Sequence, residues 1–177
     1  MKSGMKALAA ALLALVAACI SALAQSPTGA EARLKELNIT LPTPTPPANI
    51  VGAVRVGNIL FVSGHTAGAA WNPKGKVGKD LTVEQGYQAA RQAGILLLAT
   101  VRANLGSLDR VKRVAKVLGM VNSAEGFSDQ PKVINGFTDL MTEVFGDQIG
   151  KHARSAVGMA GLPGNSPVEV EAILEVE

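Results

Sequence analysis

The fold turns on the C-terminal stretch His152-Ala153-Arg154-Ser155-Ala156-Val157-Gly158-Met159, the break Leu162-Pro163-Gly164-Asn165, and the run Val168-Glu169-Val170-Glu171-Ala172-Ile173-Leu174. Two β-patterned runs separated by a Gly/Pro/Asn-rich break predict antiparallel strands joined by a loop. In the second run Val168, Val170, Ala172 and Leu174 share one side, while Glu169, Glu171 and Glu175 share the other, because strand side chains alternate. One side packs; the other carries charge. Arg154 stands on the partner strand, and a guanidinium with a carboxylate nearby can hold a small carboxylate substrate beside a proton-handling group. A cross-strand ion pair on a solvated hairpin accounts for the same residues.

Upstream, Ser128 or Asp129 caps a helix whose Val133, Ile134, Phe137, Leu140, Met141, Val144 and Phe145 form an apolar face, with Gly146 as its end. Before it, Arg110 to Asn122 reads as a strand, and its basic residues Arg110, Lys112, Arg113 and Lys116 as a solvated strand end. Thr82 with Gln85 makes a capping box for a long helix carrying Val83, Tyr87, Ala90, Gly94, Leu97, Val101 and Leu105 on one stripe, and Gly106 closes it. Val51–Val56 and Ile59–Ser63 flank Gly57-Asn58, a two-residue hairpin signal. Gly64 to Lys79, with Trp71, is a loop, either a lid or an ordinary connection. The order strand, strand, helix, strand, helix, strand, strand predicts an α+β subunit. Two helices lie on one face of a mixed sheet, and the bare face invites self-association.

The N-terminal part is of another kind. Met1 to Ala24 has a short basic head with Lys2 and Lys6, an apolar run from Ala7 to Ile20 and the ending Ala22-Leu23-Ala24, the layout of a secretory signal peptide. Cleavage after Ala24 predicts an exported, periplasmic protein beginning at Gln25. Val16-Ala17-Ala18-Cys19 offers the alternative of lipid anchoring through Cys19, the one route by which a membrane becomes a partner. Residues 25–48 form a Pro-rich arm, with one or two helical turns over Glu31 to Leu37 before Pro42, Pro44, Pro46 and Pro47; it lies across the domain or acts as a tether. The domain proper spans 49–177.

Composition excludes several functions. Loss of Lys2 and Lys6 takes the 17 basic residues to 15 against 14 acidic ones, and aromatic residues are 3% of the chain, so neither charge nor stacking surface points to nucleic acid. Cys19 is the only cysteine, so cleavage at Ala24 removes any cysteine nucleophile, disulfide or thiolate metal site. With His65 and His152 the only histidines, no metal and no other cofactor is expected.

From about Asn49 onward, Gly57-Asn58-Ile59-Leu60-Phe61-Val62-Ser63-Gly64, the helix bearing Asn135, the strand start Ala153-Arg154-Ser155, and Leu162-Pro163 followed by Val168 to Ile173 resemble the Rid (reactive intermediate deaminase) family, also called YjgF-type and formerly L-PSP endoribonuclease-like. The resemblance implies a chorismate-mutase-like subunit in a homotrimer with clefts between subunits. It implies hydrolysis of 2-imino or enamine acids to 2-keto acids and ammonia, with Arg154 pairing the substrate carboxylate and Glu169 orienting or activating water. Ser63, Gly64, Asn135 and the backbone of Ala156 would contact substrate. Ile50 stands where members often have tyrosine, and Ala156 where many deaminases have cysteine. The alternative is a non-enzymatic trimer that holds a small carboxylate ligand in the same cleft. The chemistry suits these residues: imines hydrolyse readily, so binding the carboxylate and placing a water suffice without a covalent nucleophile.

Overall fold

The computed structural model describes residues 29–45 and 48–177. The leader, Cys19, Pro46 and Pro47 lie outside the described residues. Helix α1 (Ala30–Glu36) buries Leu34, and Leu41 is buried beyond it, so this stretch of the arm packs on the domain. Arg102 of the next helix donates to the Leu41 carbonyl at 3.2 Å.

Strands β1 (Ala53–Val56) and β2 (Ile59–Thr66) form the expected hairpin, with Val56 opposite Ile59 and Gly57 at φ 61° in the turn. Helix α2 (Val83–Leu105) opens on a complete capping box. The Thr82 hydroxyl accepts from Gln85 N at 3.2 Å, and Thr82 N donates to Gln85 Oε1 at 2.9 Å. Gly106 ends the helix in the left-handed region at φ 82°. Between β2 and α2 the loop is an ordinary connection. Val77 is buried, and the Lys76 ammonium donates to Asn122 Oδ1 at 3.0 Å and to the Ala160 carbonyl at 2.7 Å.

After a single 3-10 turn come β3 (Val111–Asn122), α3 (Gln130–Gly150), β4 (Ala153–Met159) and β5 (Val168–Val176). Two local expectations for α3 need correction. Asp129 occupies the N-cap position without a side-chain cap bond, and Gly146 (φ 73°, ψ 169°) interrupts the helix, which resumes to Gly150. Glycine alone tolerates that left-handed break cheaply, so it kinks the helix where a C-terminal stop was expected.

The larger correction concerns the sheet. Its order is β1-β2-β5-β3-β4, so the two C-terminal runs are not neighbours and form no hairpin. β4 pairs with β3 in parallel, Arg154 opposite Val117, while β5 is antiparallel to both β3 and β2. The cause is the crossover: α3 returns the chain to the start of the sheet, so β4 enters beside β3 in the same direction. Residues 160–167 then step across β3, a displacement of about 10 Å at ordinary strand spacing. β5 thereby gains a partner on each edge.

α2 and α3 lie on one face of this sheet, over the buried side chains of Leu60, Val114, Val117, Val121, Val168, Val170 and Leu174. The helices approach closely at Gly136, where a Cβ would collide with the Tyr87 carbonyl. No helix among the described residues covers the opposite face. There Val54, Val56, Phe61, Val157 and Met159 are between 37% and 63% exposed, an unusual concentration of apolar surface for a sheet face.

Candidate active site

Arg154 lies on edge strand β4, on the helix side of the sheet, as its register with buried Val117 requires. Its Nη1 donates to Asn135 Oδ1 and to Thr138 Oγ1, both at 2.9 Å, and its Nη2 to the Pro131 carbonyl at 3.4 Å. Three of the five guanidinium N–H groups are thereby used to fix the group against α3. The Nε and second Nη2 hydrogens remain, the paired edge that matches a carboxylate. Burial pulls the guanidinium below its ordinary pKa, and the Asp139 carboxylate opposes that shift. Ala156 follows two residues later on the same face, half-buried.

Behind Arg154 stands His152, edge-on to Phe137 with ring centroids 6.1 Å apart. Its Nδ1 is 2.7 Å from the Gly150 carbonyl and therefore bears the proton, which leaves Nε2 to accept from the Thr138 hydroxyl at 3.2 Å. Burial lowers the His152 pKa; the Gly150 carbonyl opposes this, and neighbouring Arg154 lowers it further. A neutral imidazole thus holds the hydroxyl that holds the guanidinium. Neither Thr138 nor His152 was singled out by motif reading as a partner of Arg154. The signal was present: Thr138 is one turn beyond Asn135 and so shares its helix face.

Glu169 occupies a different place. It lies on β5 opposite Met120 and Thr66, on the face without helices. Its carboxylate covers Gly64, in the β2 irregularity between Val62 and His65, where any Cβ would collide with it. No hydrogen-bond donor among the described residues holds that carboxylate. Burial raises its pKa, and the Glu171 charge raises it further. Ser63, next to Gly64, donates from Oγ to the Val51 carbonyl at 2.7 Å, so its hydroxyl is engaged within the chain. Ile50 is 53% exposed nearby and supplies no hydroxyl.

The chain therefore assembles two clusters. Arg154, Asn135 and Ala156 belong with α3 and the β4 edge; Glu169, Ser63 and Gly64 belong with β2 and β5. Strand β3 separates them, and Arg154 and Glu169 face opposite sides of the sheet. The cross-strand Arg154–Glu169 arrangement expected of a hairpin is absent because the two strands are not paired.

Comparison with known proteins gives this geometry a context. The family model described as YjgF/chorismate-mutase-like, which also carries an endoribonuclease label, matches residues 28–176. Protein TCP17 of Trypanosoma cruzi is 43% identical over 150 residues, covering 82% of this chain and 92% of that protein. The crystal structure of Atu1372, a protein of unknown function from Agrobacterium tumefaciens, is 42% identical with a TM-score of 0.77, over 84% of this chain and 92% of that one. RidA from an Antarctic Psychrobacter shares the fold at 21% identity and a TM-score of 0.51, over 76% and 94% of the respective chains. Matched over residues 28–176 and folded as an α+β domain of the expected kind, the chain belongs to the Rid/YjgF-type family.

Proposed function

We propose that this protein is an exported deaminase that hydrolyses 2-imino and enamine acids to 2-keto acids and ammonia, in clefts between the subunits of a homotrimer. The observation that carries this reading is the division of the site: a carboxylate-binding cluster and a proton-handling cluster, each built in one chain, on opposite faces of its sheet. They become one site only when Arg154 of one subunit meets Glu169 of the next. The apolar helix-free face supplies the surface for that association.

The roles follow from the groups. Arg154, anchored by Asn135 and Thr138, presents its paired Nε and Nη2 hydrogens to the substrate carboxylate. Asn135 spends its oxygen on Arg154 and retains its amide hydrogens for substrate. Glu169, whose proton affinity is raised and whose carboxylate has no donor among the described residues of its own chain, orients a water toward the imine carbon and accepts its proton. Attack gives a carbinolamine; proton transfer to nitrogen and loss of ammonia leave the keto acid. The balance needs only water, with no change in oxidation state. The leader pattern of Met1 to Ala24 supports a periplasmic location, with Gln25 or a lipidated Cys19 as first residue, and N-terminal sequencing of protein from the cell envelope decides between them.

Activity is tested by 2-keto acid release from 2-iminopropionate and 2-iminobutyrate generated in situ. The expected result is acceleration over the spontaneous rate, reduced by about two orders of magnitude in Glu169→Ala and in Arg154→Ala. Ile50, in place of the customary tyrosine, favours a second reading, a binding trimer without turnover. A trimer that leaves the spontaneous rate unchanged overturns the deaminase reading. Small carboxylates that then raise its Tm through Arg154 would establish the second one.

A further inference from the structure

A cavity of about 550 Å³ lies between the arm at residues 42–45, the segment leading into β1, and α2. Pro42, Pro44, Ile50, Leu96, Ala99 and Ala103 give it apolar walls. Most of the polar side-chain groups that reach it are committed elsewhere. Ser63 Oγ is given to the Val51 carbonyl. His65 Nδ1, 2.6 Å from the Ser63 carbonyl, carries the ring proton, so Nε2 accepts from the Thr100 hydroxyl at 2.8 Å. Asn104 Nδ2 donates to the Thr100 carbonyl at 2.8 Å, and Thr66 Oγ1 accepts from Gly68 N, which leaves Oδ1 of the exposed Asn104 and the Thr66 hydroxyl hydrogen as the side-chain polar groups of β2 and α2 without a partner among the described residues. The arm's own hydroxyls, on Thr43 and Thr45, are exposed to solvent.

This cavity adjoins the Glu169 cluster at Ser63 and Gly64. Gly64 lines the cavity and is also the backbone covered by the Glu169 carboxylate. The geometry points to the cavity as the pocket for the substrate's side chain, and to branched aliphatic or aromatic 2-imino acids as the substrate class. A hydroxyl or charge entering it would lose water and find most of its polar neighbours already paired, whereas an apolar side chain meets the apolar walls without that cost. The inference rests on the deaminase reading above and adds to it a specificity built by the arm and α2.

The experiment compares kcat/KM for imines generated in situ from L-alanine, L-serine and L-leucine by an amino-acid oxidase, for the wild type, Ala103→Phe and Ala99→Leu. Ala103 is exposed, so its variant fills the pocket with little burden on folding; Ala99 is buried and fills it from deeper. Expected is a preference for the leucine-derived imine that falls about tenfold or more in either variant while the alanine-derived rate holds. Equal slowing of all substrates in folded variants, or a wild-type preference for the serine-derived imine, overturns the proposal. A thermal-shift arm separates it from the deaminase reading. If no imine is turned over yet 4-methyl-2-oxopentanoate raises Tm in the wild type and not in Ala103→Phe, the pocket stands and the deaminase reading falls. If there is neither turnover nor shift, both fall.

Discussion

The two faces of β5 carry the same backbone and opposite histories of burial. On one, Val168, Val170 and Leu174 are within 1% of complete burial beneath α2 and α3; on the other, Glu169 is half-covered, Glu171 and Glu175 are exposed, and the strand continues into a surface where Phe61 is 46% exposed. The first face is finished by the chain itself. The second has apolar area and a carboxylate without a donor among the described residues, the composition of a surface that another molecule completes. Alternation thus divides the strand into a stability face and a function face, and substitutions on the two have separable readouts.

The strongest test of that division sets Phe137→Ala against Phe61→Asp. Phe137 is fully buried between α2 and α3, so its truncation costs about 3–5 kcal/mol, read as a lowered urea midpoint. On the proposed function, Phe61→Asp is expected to leave the chain's own stability within about 0.5 kcal/mol but to shift the sedimentation mass from trimer to monomer and abolish turnover. Loss of subunit folding in the second variant would erase the distinction between the faces. A smaller effect tests the helix contact: Gly136→Ala inserts a methyl group against the Tyr87 carbonyl and is expected to cost about 1–3 kcal/mol without changing the assembly state of the folded fraction.

The smallest effect sharpens the functional face. The folded pKa of Glu169 is raised, so in the window above the ordinary carboxylate value the native state binds more protons than the unfolded chain, and stability falls as pH rises through it. Glu169→Gln removes that dependence. Its Tm should exceed the wild type's at pH 8, and the difference should vanish as pH drops below the ordinary carboxylate value, where both states are protonated. A Tm difference that persists unchanged into acid would show that burial of the ionised carboxylate is not its cause.

Much of this was legible residue by residue. The capping box at Thr82, the left-handed stop at Gly106, the Gly57-Asn58 hairpin and the apolar stripes of α2 and α3 are local features, each decided within one or two turns of chain. The kink at Gly146 was missed because a glycine after an apolar stripe reads alike as a stop and as a break. Arg154 and Glu169 stood out as candidates from the family resemblance, whereas Thr138 as the partner of Arg154, with His152 behind it, became visible only when α3 was laid against β4.

The sequence by itself determined which residues of each element face inward, since periods of two and 3.6 are properties of the backbone. Tertiary structure alone decided who stands next to whom: β3 between β4 and β5, a parallel pair where a hairpin was expected, and Arg154 and Glu169 on opposite faces. The physical reason is that pairing is non-local. A strand's alternation is equally satisfied beside any partner of the right face, and the choice falls to the crossover helix, the reach of residues 160–167 and the apolar area that the whole sheet buries together.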